Sequence, residues 1–336
     1  MERSQSNLAT LNKLHLTHEP WDLSVVPELG GKICSITWRG KELLAQNPRK
    51  SLRHAQYGAP YADFDASGFD ECFPTIGSCQ YPAYPWEGTE LPDHGELWSL
   101  PWTHQFSDNR LHLAANGIRI PYRFSKSICV IDQSTIRFSY CLENKTPFPF
   151  HYLWSSHPLF APHPGMKILL PMGTRVRIDW SKDARLGEIW QELDWPDTFD
   201  SQGQPIDLSL LPGPEVGWVD KLYTSRLPQG WAAVYNPQDR TYFGFTFSTE
   251  QVPFLGLSIN MGGWPVDEPG YYNLGLEPCC GYPDRLDLAI QRGAYQTLGP
   301  LASVEWDLYL HAGETGSEAT LRNHLSTLAA AHASSH

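Results

Sequence analysis

Long apolar runs are missing from this chain. No stretch approaches the roughly 20 apolar residues that a membrane-spanning helix needs, so the sequence predicts no membrane partner. Residues 1–12 are polar and lack the apolar core of a secretory leader, which gives the expectation of a cytoplasmic protein. Charge is scarce, at 18% of residues, and its balance is −12. That excludes nucleic acid as a partner, because such binding rests on Lys and Arg neutralising phosphates. No Lys or Arg stands between Arg53 and Arg110. The seven cysteines are odd in number and form no CxxC pair, so reduced thiols are expected. Cys279 and Cys280 are neighbours, where a disulfide would be strained, and they read as free thiols beside Glu277. Absent too are the GxxxxGK[ST] and GxGxxG phosphate loops, the GxSxG elbow and HExxH. Nucleotide and serine-hydrolase chemistries lose their usual carriers. There is no βαβ rhythm, heptad or internal repeat.

Period-2 alternation is what remains. Ile136, Phe138, Tyr140 and Leu142 alternate with polar residues, as do Val304, Trp306, Leu308 and Leu310, and Phe243, Phe245 and Phe247. Each reads as a half-buried antiparallel strand. Further strands are predicted at 22–26, 32–38, 110–115, 122–131, 166–171, 174–180, 231–235 and 254–260. The 28 prolines and 27 glycines are scattered along the chain, which favours short strands joined by turns. Residues 181–215 read as a long excursion between strands. One helix is predicted, 318–330, capped by Ser317 with Leu321, Leu325 and Leu328 on one face, before a frayed tail at 332–336. The expectation is an all-β protein with one domain over 13–315 and a C-terminal helix and tail over 316–336.

Three residues suggest chemistry. Glu277 projects a carboxylate from an apolar run, Asn273-Leu274-Gly275-Leu276-Glu277-Pro278, and is either an ion-pair partner or a general base. His94 lies in Asp93-His94-Gly95-Glu96, and His157 in Ser156-His157-Pro158, where the following proline favours extended backbone. A carboxylate and an imidazole titrate on either side of weak acidity, near ~4.3 and ~6.5, so they suit base and acid roles. Asp93, His94, Glu96 and His104 fall close together but match no firm metal-ligand spacing, so no metal is expected. Among the 13 tryptophans, Trp86, Trp98, Trp102, Trp195 and Trp264 sit in loop-like contexts, and read either as large core residues or as faces that stack on a sugar ring.

Five segments together resemble the aldose 1-epimerase family, the galactose mutarotases. They are Gly30-Gly31-Lys32-Ile33 with Gly40-Lys41-Glu42-Leu43-Leu44; Asp93-His94-Gly95; Trp154-Ser155-Ser156-His157-Pro158-Leu159-Phe160; Val219-Asp220-Lys221-Leu222-Tyr223; and Gly275-Leu276-Glu277-Pro278 with Pro283-Asp284 beyond. They stand in the family order over about residues 20–311. The resemblance implies a large antiparallel β-sandwich with an open sugar cleft. It implies Glu277 as general base, His157 as general acid, and His94 and Asp220 as substrate-binding groups, with no cofactor. The continuation Gly95-Glu96-Leu97-Trp98 departs from better-known branches, and no Asn follows Pro158-Leu159-Phe160-Ala161-Pro162. The early Asn-Arg substrate pair has only Asn47 and Arg49 as approximate counterparts. Asp70 and Glu71 are candidate substitute contacts, with Trp98 as a stacking surface.

The function expected is interconversion of the α and β anomers of a neutral free sugar, by a monomer or homodimer. A non-catalytic carbohydrate-binding protein of the same fold, or another β-sandwich sugar isomerase or lyase, is the alternative.

Overall fold

The computed structural model describes residues 11–47, 51–107, 109–266 and 269–333. Arg49 and the last residues of the expected tail lie outside them.

Strands dominate. An 11-stranded antiparallel sheet faces an 8-stranded one. The alternating segments build the second sheet: Thr135–Asn144 pairs with Ser303–Glu314, with Phe138 opposite Leu308. Ile136, Phe138, Leu142, Leu308 and Leu310 are completely buried. Side chains alternate faces along a strand, so this set falls on one side. The two sheets meet through aromatic contacts: Phe69 with Phe138 (5.4 Å between ring centroids) and Phe160 with Phe243 (4.5 Å). One apolar cluster fills the space between them. Each fully buried Phe or Leu in it contributes about 1.5–3 kcal/mol of transfer free energy.

The predicted terminal helix is present as Glu318–Ala333. The Thr320 N–H donates to the Ser317 hydroxyl (3.2 Å), satisfying one of the orphan donors of the first turn. Leu321, Leu325 and Ala329 pack on Leu169, Trp231, Ala233 and Tyr242, so the helix covers part of the outer face of the 8-stranded sheet. A second helix, Leu286–Arg292, corrects the single-helix expectation. At seven residues it is too short to show a periodic stripe. Gly293 closes it in the left-handed conformation, with φ 66°.

The excursion over 181–215 is largely irregular, with short strands Glu192–Asp194, Asp197–Phe199 and Pro205–Asp207. No helix among the described residues is long and apolar enough to cross a membrane. All seven cysteines are free thiols.

Five neighbouring strands of the larger sheet position the site. In spatial order they are Ser155–Phe160, Tyr272–Cys279, Phe254–Met261, Trp218–Thr224 and Arg175–Ser181.

Candidate active site

Across those strands, His157, Glu277, Ser258, Lys221 and Asp179 come from successive neighbours. Glu277 lies opposite Gly256, and Gly256 opposite Tyr223; two positions along, Gly275 lies opposite Ser258, and Ser258 opposite Lys221. The two glycines make room for the carboxylate. A Cβ at Gly275 would lie 2.3 Å from Glu277 Oε1, and one at Gly256 would lie 2.8 Å from Oε2.

A cavity of about 390 Å3 opens over this face. His94, His157, Lys221, Asp93, Asp179 and Asp284 line it, with Asn260, Asn273, Ser258, Tyr61, Trp180 and Trp264. Glu277 is fully buried beneath this lining. Its Oε1 lies 3.9 Å from His157 Nε2, and its Oε2 accepts from Lys221 Nζ. Glu277 Oε1 and His157 Nδ1 are both buried without a hydrogen-bond partner among the described residues. Such orphaned groups cost free energy and point to a functional use.

Loops bring the other groups. His94 sits at φ 57°, a left-handed conformation that a non-glycine residue rarely adopts. Gly95 follows at φ 71°, and a Cβ there would strike the Phe73 carbonyl at 2.2 Å. The turn is therefore pinned against the strand end. His94 Nδ1 bonds Asp93 Oδ1 at 2.9 Å, and Tyr61 stacks on its ring at 4.1 Å. Tyr61 also meets His157 edge-on at 5.4 Å, so one phenol ring packs both imidazoles. Asp284 is held by its own carbonyl, which accepts from the N–H groups of Ile76 (2.9 Å) and Gly77 (2.7 Å). Its Oδ1 accepts from Tyr223 OH and lies 3.9 Å from Lys221 Nζ.

Burial dominates the electrostatics. It raises the Glu277 carboxyl above its ordinary value, with the Lys221 ammonium pulling the other way. It holds His157 well below the usual histidine range, and the neighbouring His94 and Lys221 add to this. Burial would also raise Asp93, but its hydrogen bonds and the neighbouring His94 leave it below its ordinary value. As an ionised acceptor, Asp93 takes the Nδ1–H of His94 and leaves Nε2 to meet a ligand.

His94, His157 and Glu277 thus converge. Four other candidates do not face the cavity. Asp70 is buried in an ion pair with Lys32 (2.5 Å) and accepts from Tyr61 OH (3.0 Å), so it supports the site from behind. Glu71 points into the sandwich, where Lys126 (3.1 Å), Tyr140 OH (3.0 Å) and Trp154 Nε1 (2.9 Å) satisfy it. Asp220 bonds Ser181 Oγ (2.6 Å) and Arg185 on the far side of its strand. Trp98 is buried behind Tyr61 and donates from Nε1 to the Asp93 carbonyl (3.0 Å). Of the loop tryptophans, only Trp264 lines the cavity; Asn260 accepts from its N–H at 3.2 Å. Cys279 and Cys280 are buried outside the lining. The Asp93, His94, Glu96 and His104 group also separates. Glu96 is taken by Tyr57 OH (2.6 Å), Tyr122 OH (2.8 Å) and the Arg119 N–H (2.8 Å), and His104 lies on the strand Thr103–Ser107.

Lys221, Asp284, Asp179 and Tyr61 are the site groups that sequence reasoning missed. Alternation from Val219 was the signal for Lys221, since residues two apart share a face.

No protein-family model matches the sequence, and no curated protein sequence matches it significantly. Solved structures do match. The Slr1438 protein of Synechocystis sp. PCC 6803 superposes with a TM-score of 0.67 at 18% identity, covering 94% of this chain and 100% of that one. An Escherichia coli K12 protein, provisionally assigned as an aldose 1-epimerase, gives 0.66 at 18%, covering 91% and 100%. A galactose mutarotase related enzyme of Lactobacillus acidophilus gives 0.63 at 13%, covering 90% and 98%. The chain has the fold of the galactose mutarotase-like proteins.

Proposed function

We propose that the protein is an aldose 1-epimerase that interconverts the anomers of a neutral free sugar. The observation that carries the reading is the unpartnered Glu277 Oε1 facing His157 Nε2 at 3.9 Å under a polar cavity.

The reaction moves one proton from the anomeric hydroxyl and delivers one to the ring oxygen. Both oxygens are bonded to C1, so the two proton-transfer groups must be close neighbours, as these are. Glu277 takes the proton from O1–H while His157 gives one to O5. The C1–O5 bond breaks, and the aldehyde turns about C1–C2. Closure on the other face runs the transfers in reverse, so no proton is gained or lost overall. His94, oriented by Asp93, hydrogen-bonds the sugar near the ring oxygen. General acid–base help of this kind contributes roughly 10² to 10⁴-fold.

Two features constrain the working state. Glu277 lies below the lining, so contact with O1 requires Lys221 or His157 to move aside when sugar binds. Burial raises the base and lowers the acid, so the state with ionised Glu277 and protonated His157 is a minor one in the empty cavity. The pH–rate profile is then bell-shaped, and its limbs belong to the pair rather than to either residue.

The neutral character of the substrate follows from the charge of the lining. Asp93, Asp179 and Asp284 line the cavity, no Arg among the described residues does, and Lys221 is already paired with Glu277. A phosphate would meet mostly negative charge. The indole faces of Trp180 and Trp264 suit the apolar face of an uncharged ring.

Polarimetry of freshly dissolved single anomers, across a panel of aldoses, tests the proposal. Acceleration over the spontaneous rate for at least one neutral aldose is expected. Binding without acceleration for every sugar would instead establish the non-catalytic alternative, which the buried Lys221–Glu277 ion pair favours.

A further inference from the structure

Glu277 turns its two oxygens to different sides, Oε1 toward His157 and Oε2 toward Lys221. C1 of an aldose carries O1, O5 and C2. If His157 serves O5 and Glu277 serves O1, the substituent on C2 falls on the Lys221 side. This step rests on the epimerase reading.

That side is bounded by two carboxylates. Asp284 stands 3.9 Å from Lys221 Nζ. Asp179 is delivered by an irregularity in the strand Arg175–Ser181. Ile178 pairs with Leu222 and Trp180 with Lys221, so Asp179 is the extra residue of a bulge. A bulge re-aims a side chain, and such features gather beside active sites. Here the extra residue lines the cavity beside Lys221 and Asp284. Among the described residues, no hydrogen bond or ion pair claims the Asp179 carboxylate. An ionised carboxylate only accepts, so its complement is a hydroxyl donor carried by the ligand.

We infer that Asp179, together with Asp284, accepts the hydrogen of the C2 hydroxyl and so selects 2-hydroxy aldoses over 2-deoxy aldoses. Burial, reinforced by the neighbouring Asp284 carboxylate, pushes Asp179 up to about 7, against the pull of Lys221 and Arg292; the Glu277 charge adds to the rise. The ionised form is the stronger acceptor. Recognition of the C2 hydroxyl therefore tightens as pH rises through about 7, with Asp284, Lys221, Arg292 and Glu277 as the charges that face the group.

The test uses ring sugars that cannot react. A 1,5-anhydroalditol lacks the anomeric oxygen, so it binds without mutarotation. Its affinity for the full chain, and that of its 2-deoxy counterpart, are measured by titration calorimetry from about pH 6 to pH 8. The expected result is a preference of roughly tenfold for the 2-hydroxy compound, since a hydrogen bond to a charged group discriminates on that scale. The preference should collapse to within about twofold in Asp179→Ala. In Asp179→Asn, which keeps the shape, the rise in affinity with pH should flatten; thermal melts report whether each variant is folded.

Equal affinity for the two compounds in the native protein would overturn the inference. So would a preference and pH dependence that survive both substitutions. If the native protein accelerates mutarotation but binds both analogues equally, only this inference falls. If it prefers the 2-hydroxy analogue and accelerates nothing, the turnover reading falls and the inference stands. If neither analogue binds, the inference falls, and polarimetry alone decides the turnover reading.

Discussion

Replacing Lys221 with Met isolates what holds the proposed base ready. Lys221 Nζ is the only ammonium or guanidinium among the described residues within ion-pair distance of Glu277, and the carboxylate is fully buried. Two unit charges about 4 Å apart attract by about 4 kcal/mol at an effective dielectric near 20, equivalent to about 3 pK units. Water entering the vacated space returns part of that, so the Glu277 carboxyl is expected to rise further above its ordinary value. At any pH below the raised value the ionised fraction falls, and turnover falls with it, by at most the roughly 10² to 10⁴-fold that general acid–base help supplies. The loss should shrink as pH rises, because alkali restores the carboxylate. The carboxyl can protonate instead of remaining an unpaired buried charge. The stability loss should thus stay below the ~3–5 kcal/mol typical of a broken buried pair. The sign for stability is also defined. A folded-state pKa raised above the unfolded value means the native state holds the extra proton. Stability is then full below the ordinary carboxylate range and is lost as pH rises through the raised value. Turnover of Lys221→Met by anomeric-proton exchange between about pH 6 and pH 9, with chemical denaturation alongside, supplies both readouts. Unchanged turnover, or a loss by the same factor at every pH, would refute the assignment of Lys221 as the group that keeps Glu277 ionised.

Other perturbations probe the same account. Gly275→Ala places a methyl where Glu277 Oε1 now lies, 2.3 Å away, so turnover should fall by about 10² or more; wild-type kinetics would show that the carboxylate is not needed in that position. Glucose or galactose should be turned over well ahead of its 6-phosphate in side-by-side exchange measurements at one salt concentration; a preference for the phosphate would mean that an arginine outside the lining reaches in. Leu325→Ala empties a fully buried position under the terminal helix and should cost about 2–4 kcal/mol in urea denaturation while leaving kcat unchanged, since the helix lies on the other sheet.

Much of the fold was legible because its signal is local. Alternation marks which residues share a face, and burial follows it from Ile136 to Asn144 and from Trp306 to Leu310. The helix Leu286–Arg292 escaped because it spans too few turns for a stripe to show. The site was legible only where an ionisable group stands out from its neighbours, as His94, His157 and Glu277 do. Asp220 and Lys221 are adjacent, and nothing local says which one faces the cavity. The burial of Asp220 against Ser181 and Arg185 depends on the next strand and the loop after it. Asp70 and Glu71 present the same ambiguity, each resolved by a distant lysine, Lys32 or Lys126. Asp179 depends on a bulge, which exists only once the strand Trp218–Thr224 pairs beside it.

The central claim is that the Glu277 carboxylate moves the anomeric proton. Exchange between the α and β anomeric protons of a turned-over aldose, followed by magnetisation transfer in the native protein and in Glu277→Gln, tests it most directly. The account predicts a folded variant whose exchange above the spontaneous rate is lower by roughly 10² or more. Exchange at the native rate in Glu277→Gln would contradict it.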